Sequence, residues 1–405
     1  MTTHSRRTLL KKAAITAASV LTVAGAGIAA IGTADAATAT TFYVATTGSD
    51  SNAGTLAAPF ATIQKAIGAV AAGGTIAVRG GTHALTSNIQ ITKSGTAAAP
   101  ITLTAYNSEK VIIDGEALGY TPGAVGSSIP AAQRGAIHME ASYWKLSGLE
   151  ITHGPYGVYC NKCNNNTFDR LVVHDNYETG FQLQGASANN LILNLDSYQN
   201  RDPRKNGESA DGLGIKEGSG TGNIVRGARL WNNVDDGFDA WSFSSPITIQ
   251  NSIAYGNGYN RWSIPNFSGD GNGFKLGGSS GTGPAASHAV SNSMAFSNAA
   301  HGFTDNGNTG AITVGRSTAY KNVKTGFDVD GGSTSKLTAN LASGNGTAVA
   351  LGKSTASGNS WNIGGTWTLL STSTSVITGA RAADGSIPSS SFLVPANGSA
   401  VGAKI

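Results

Sequence analysis

The chain is poor in charge. Only 12% of its 405 residues are Asp, Glu, Lys or Arg, so a solvent-rich disordered chain is excluded. Proline is scarce, at 11 residues, which rules out collagen and proline-rich linkers. Cysteine is scarcer still. Cys160 and Cys163, in CNKC, form the only pair. A structural zinc site needs about four ligands, and a redox motif needs a thioredoxin-like context; neither is present. A local disulfide or two packed thiols remain. Long apolar runs are also missing, apart from residues 13–31.

That one run follows the basic stretch SRRTLLKK and ends near Ala34-Asp35-Ala36, the pattern of a cleaved export signal over residues 1–36. Arg6-Arg7 ahead of Leu9-Leu10 resembles a twin-arginine signal; Sec export is the alternative. Removing residues 1–36 takes away four cations and Asp35, and the formal net charge falls from +4 to +1. The mature chain, 37–405, then has no broad positive field for a polyanion, which argues against nucleic-acid binding. The expected product is a secreted, extracellular bacterial protein, a monomer with no membrane contact after signal removal.

What is abundant is glycine, with 55 residues, and a repeat. LVVHDN, LDSYQN, ARLWNN, SIAYGN, SMAFSN and STAYKN end at Asn176, Asn200, Asn233, Asn257, Asn298 and Asn322. Gly-aromatic segments follow at Gly180, Gly237, Gly273, Gly302 and Gly326. Asn176, Asn233, Asn298 and Asn322 each precede a glycine by four residues. Asn200 to Gly212 takes 12 residues and Asn257 to Gly273 takes 16, so two turns carry insertions of 8 and 12. Each repeat holds short alternating runs between Gly and Asn turns, which is strand chemistry. One such coil cannot bury its own inner face, so the coils must stack. The expected fold is all-β, a parallel β-helix solenoid, with the recurrent asparagines forming a ladder. Residues 59–74 show helical apolar spacing at Phe60, Ile63, Ala66, Ile67 and Val70 and are expected to cap the N-terminal end. The less regular stretch from about 372 to 405 is expected to cover the other end.

Aligning coils on these glycines puts Asp211 and Asp236 at equivalent positions, roughly 4.8 Å apart. Asp235 is adjacent, and Asp239 points outward by alternation. Lys275 is then the stacked counterpart of Asp239. Asp211, Asp235, Asp236 and Asp239 are expected to form one exposed acidic cluster, and four hard oxygen donors suit Ca²⁺. Lys216 lies on the outward face, Arg204 and Lys205 fall in the first inserted turn, and Arg261 in the second. These four are candidates for holding neighbouring anionic groups.

ADGLGIK (from Ala210), NNVDDGFDAW (from Asn232) and GNGFKLGG (from Gly271) together resemble the signature segments of polysaccharide lyase family 9. FYVATTGSDSNAGT and PFATIQKAI resemble the N-terminal cap of such proteins, and the likeness spans most of residues 42–345. The resemblance implies a secreted pectate lyase on a right-handed parallel β-helix. It implies Ca²⁺ ligands at Asp211, Asp235, Asp236 and Asp239, and the Brønsted base at Lys275. The implied reaction is β-elimination on polygalacturonate or a related uronate polysaccharide. One alternative is a polygalacturonase-type hydrolase on the same fold, whose expected Asn-Thr-Asp, Gly-His-Gly and Arg-Ile-Lys motifs read SAD, HGF and FKL here. The other is a non-catalytic carbohydrate-binding β-helix, which leaves the register of Lys275 unexplained.

Overall fold

The computed structural model describes residues 40–281 and 283–405; the export-signal expectation for residues 1–36 lies outside them. Among the described residues, no helix is long and apolar enough to cross a membrane.

The strands form three sheets, of 12, 10 and 10 strands, and every ladder is parallel between consecutive coils. The first sheet runs from Thr41–Val44 to Thr355–Ser357. The second runs from Gly81–Ala84 to Leu341–Ser343. The third runs from Ile89–Ile91 to Thr347–Ala350. Each full coil gives one strand to each sheet, so the chain is a parallel β-helix. Its interior is filled by alternate residues, among them Val225, Leu230 and Phe238 within one coil. Phe274, Phe303 and Phe327 stack inside, with successive ring centroids 5.0 Å apart and planes within 5°.

The asparagine ladder is continuous. Each of Asn176, Asn200, Asn233, Asn257, Asn298 and Asn322 donates its side-chain amide to the next asparagine at 2.8–3.0 Å, ending at Asn345. Buried amides so paired leave little unsatisfied polarity inside the turn. The glycine of each Gly-aromatic segment has a packing reason. A Cβ on Gly237 would lie 2.6 Å from the Gly273 carbonyl oxygen and 2.8 Å from the Ala254 Cβ. Only a residue without a side chain lets the coils approach so closely.

The helix Ile63–Ala69 turns Ile63, Ala66 and Ile67 into the first end of the core. Thr62 caps it by accepting from the Lys65 backbone N–H at 3.1 Å. The Asp50 carboxylate in turn accepts from the Ala61 and Thr62 backbone N–H groups at 2.9 Å.

The C-terminal stretch corrects the expectation. The last coil is closed by the short helix Ser360–Ile363, whose Trp361 lies 5.3 Å from Phe327. Residues 372–405 run instead along the outer face of the second sheet. There Ile377, Ile387, Phe392 and Leu393 pack with Ile253, Met294 and Phe296. Asp196 anchors the segment, binding both Arg229 and Arg381 at 2.6 Å. The physical reason is the apolar outer face that Ile253, Met294 and Phe296 offer on successive coils. Cys160 and Cys163 form a disulfide.

Candidate active site

The outward residues of the third sheet form one row along the helix axis. In register they are Tyr159, Gln182, Gly214, Asp239, Lys275, Thr304 and Asp328. The inward neighbours are apolar, with Phe238, Phe274, Phe303 and Phe327 on successive strands. Asp211 and Asp236 sit at the entries of neighbouring strands: the Gly212 N–H donates to the Asp236 carbonyl at 3.0 Å.

The acidic cluster is buried, not exposed as its turn-like sequence suggests. Asp211 and Asp236 are 0% exposed, Asp235 1% and Asp239 2%. The cause lies in the two inserted turns, which fold over the cluster and pack on each other. Ala210, Val234 and Ile264 are buried there, with Trp262 and Phe267 against them. The first inserted turn stretches the Asn200–Asn233 coil to 33 residues, against 24 in a regular coil. Eight of the extra nine lie in that turn. The ninth is a bulge in the strand Leu213–Ser219, directly beyond the point where Leu183 pairs with Ile215.

Every carboxylate has named partners. The Asp236 Oδ1 accepts from the Asn272 backbone N–H at 2.6 Å and from its amide at 2.9 Å. The Asp235 Oδ1 accepts from the Asp270 N–H at 2.6 Å, and the Asp239 Oδ1 from the Trp241 N–H at 2.8 Å. Lys216 Nζ lies 2.6 Å from the Asp211 Oδ2 and 3.1 Å from the Asp239 Oδ2. Its stem crosses Gly214, where a Cβ would meet the Lys216 Cε at 3.3 Å. Lys275 Nζ lies 2.7 Å from the Asp270 Oδ2, 3.2 Å from the Asp236 Oδ2 and 4.0 Å from the Asp239 Oδ2.

The electrostatics follow from burial and crowding. Burial pushes Asp236 up to about 7, with Lys275 opposing and Asp239 and Asp211 adding to it. Burial, then Asp236 and Asp211, drive Asp235 well above the usual carboxylate range. For Lys275 burial alone would lower the pKa, but the Asp239, Asp236, Asp235 and Asp270 carboxylates outweigh it and hold the ammonium form.

The donor set fits a hard divalent cation. Asp211, Asp236 and Asp239 each bring one ligand oxygen within 4.8 Å of the others, as do Asp235, Asp236 and Asp270. Five carboxyl groups face only two ammoniums here, those of Lys216 and Lys275. The Asp236 Oδ2 is buried and accepts no hydrogen bond. At an effective dielectric of about 20, two carboxylates about 5 Å apart repel by about 3 kcal/mol. That is a large fraction of a domain's net stability, and a cation between them reverses its sign.

Of the other sequence candidates, the structure brings Lys216 into the cluster and leaves three outside. Arg204 is buried in the first inserted turn, its guanidinium against Glu178 and 2.7 Å from the Ser127 carbonyl. Lys205 Nζ lies 3.3 Å from the Glu178 Oε1. Arg261 is exposed and its guanidinium lies 5.3 Å from the Tyr259 ring. Sequence reasoning missed Asp270, and it carried Asn272 only as part of GNGFKLGG, without a role. Both stand in Gly269-Asp270-Gly271-Asn272-Gly273, where the signal for Asn272 was its place ahead of Gly273, equivalent to Asp211 and Asp236. It also missed the neighbouring wall, where Arg134 donates to the Tyr159 hydroxyl at 3.0 Å and that hydroxyl to the Gln184 Oε1 at 2.8 Å.

A family model described as "Pel9A-like, right handed beta helix region" matches residues 42–359. The chain is 50% identical over 385 residues to "Pectate lyase PEL9" of Emericella nidulans, covering 89% of this chain and 93% of that one. Among solved structures, the "Crystal structure of pectate lyase Pel9A" superposes with TM-score 0.75 at 32% identity, covering 89% of this chain and 90% of the other. A structure titled "Rhamnogalacturonan lyase" also superposes with TM-score 0.75, at 26% identity over 90% of this chain and 99% of that one.

Proposed function

The chain belongs to the Pel9A-like right-handed β-helix family, and from that membership we propose that it is a pectate lyase, cleaving polygalacturonate by Ca²⁺-dependent β-elimination. The observation that carries this reading is the placement of Lys275. Among the described residues it is the only lysine in register with that row, one strand from Asp239, with Nζ turned into the carboxylates.

Asp211, Asp235, Asp236 and Asp239 would hold the cation. When bound, Ca²⁺ supplies a positive centre for the uronate carboxylate and makes the C5 hydrogen more acidic. Lys275, in its neutral form, takes the C5 proton. The C4–O bond breaks, the electron pair leaves with the glycosidic oxygen, and a 4,5-unsaturated uronate remains at the new non-reducing end. No water is consumed. Asp270 and Asp236 fix the Nζ from two sides, so the proton acceptor is oriented before substrate arrives. The two inserted turns exclude water from behind the carboxylates. Lys216 neutralises Asp211 and Asp239 and closes the upstream side of the cluster; with the Tyr159–Gln184 wall it offers donors to a neighbouring uronate. Residues 1–36 would direct export, which places the enzyme where its polymer is.

The test is the ultraviolet absorbance of the unsaturated product on polygalacturonate with Ca²⁺ at alkaline pH. A rise abolished both by chelator and by Lys275→Ala is the expected outcome. New reducing ends without that absorbance would mean hydrolysis and would overturn the proposal.

A further inference from the structure

The residue ahead of each repeat glycine belongs to a column down the solenoid: Thr179, Asp211, Asp236, Asn272, His301 and Thr325. The backbone fixes that column. Gly180, Gly212, Gly237, Gly273 and Gly302 each donate their N–H to the carbonyl of the next column residue, at 2.8–3.0 Å. Two acids therefore stand on neighbouring coils with a hydroxyl before them and an amide after them. Both flanking side chains are buried and neither carries charge.

The amide of Asn272 has one orientation. Its backbone N–H and its Nδ2 both donate to the Asp236 Oδ1, at 2.6 and 2.9 Å. Its Oδ1 accepts from the His301 N–H at 3.3 Å. A flipped amide would set oxygen against carboxylate and N–H against N–H. With Oδ1 held twice, the Asp236 carboxylate is fixed about its own axis. Its Oδ2 is left buried and without a hydrogen bond, because Lys275 Nζ, 3.2 Å away, donates to Asp270 instead.

Asp211 poses a different problem. It ends an insertion of eight residues, so the regular four-residue turn does not place it. Thr179, on the preceding coil, does. Its Oγ1 lies 2.6 Å from the Ser209 carbonyl oxygen and 3.2 Å from the Asp211 Oδ2. The Asp211 N–H donates back to that oxygen at 3.4 Å. One hydroxyl thus ties the end of the inserted turn to the coil before it.

Taking the acidic cluster as a Ca²⁺ site, we propose that Asn272 and Thr179 are its positioning residues. Asn272 turns Asp236 so that Oδ2 is presented to the cation, and Thr179 holds Asp211 at its strand entry in spite of the insertion. Partners that orient metal ligands set affinity without touching the metal, and losing one typically costs about 10–100-fold.

The test is titration calorimetry with Ca²⁺ alone, without substrate. Asn272→Ala and Thr179→Val are each expected to weaken Ca²⁺ binding by about 10–100-fold. Thr179→Ser keeps the hydroxyl and should restore most of the affinity. The unfolding temperature in chelator identifies a variant that does not fold; if Asn272→Ala is one, the Val and Ser variants of Thr179 still decide. Affinity equal to the wild type's in a folded variant would overturn the role of that residue. A loss in Thr179→Val that Thr179→Ser does not restore would assign it to packing and overturn the role of the hydroxyl. A wild type that takes up no Ca²⁺ would sink the cation reading itself, and the positioning role with it.

Discussion

The second and third sheets use the same coil spacing to opposite effect. On the outer face of the second sheet, His174, Tyr198, Trp231, Tyr255 and Phe296 stand in register. Their rings stack at 4.3–5.8 Å with planes 1–16° apart. Like residues on successive coils attract there, each pair contributing about 0.5–1.5 kcal/mol beyond its burial. On the third sheet the same rule of stacking puts Asp211 over Asp236 and crowds Asp235 and Asp239 beside them, where like residues repel. A solenoid gains from repetition wherever neighbours are cohesive, so the place where repetition is destabilising marks the site. A cation held there would recover the stability lost, which the aromatic stack cannot use.

That contrast can be broken experimentally, and the largest effect belongs to chemistry. Lys275→Ala should lower kcat/KM by about 10²–10⁴, and the loss should persist when Ca²⁺ is saturating. Because the surrounding carboxylates hold Lys275 in its ammonium form, the rate should climb with pH into the alkaline range; full activity in acid would exclude Lys275 as the base. Next comes the metal. Ca²⁺ at about 100 times its Kd should stabilise the protein by about 2.7 kcal/mol, read as a rise in Tm that chelator removes. Trp231→Ala should destabilise by about 1–2 kcal/mol, equally with and without Ca²⁺, and leave kcat/KM unchanged; a Ca²⁺-dependent loss would mean that the two faces are coupled.

The smallest effect has the most telling sign. Asp235→Asn should raise stability in chelator by about 1 kcal/mol, because a buried repulsion is lifted, while abolishing the gain from Ca²⁺. The pH dependence has a matching direction. Asp236 rises from 3.8 to about 7 on folding, so the native state holds its proton longer than the unfolded chain. Stability in chelator should therefore fall as pH rises through that window, and calorimetry in Ca²⁺ should show a weaker slope.

Most of the architecture was legible in the chain. All six repeat asparagines are consecutive rungs of the ladder, and the Asp239–Lys275 register is the one that glycine alignment predicts. Both follow from a strict repeat, in which one coil's position fixes the next. The site was legible only where it belongs to that repeat. Asp270 lies in an inserted turn with no counterpart on other coils, so no alignment could place it, whereas Asn272 stands just ahead of Gly273 as Asp211 and Asp236 stand ahead of theirs. Arg204 looked available in sequence but is buried against Glu178, because the turn it sits in folds inward.

The sequence by itself determined the stacked coil, the outward row and the coincidence of acids with a lysine, since a period read along the chain becomes a position across the sheet. Only the tertiary structure decided that the acids are buried, that Lys216 joins them across Gly214, that Asp270 reaches Lys275 from an inserted turn, and that residues 372–405 lie along the flank. Those outcomes depend on how two inserted turns and an irregular tail pack against surfaces far away in sequence, and burial and charge are set by that packing rather than by any local pattern.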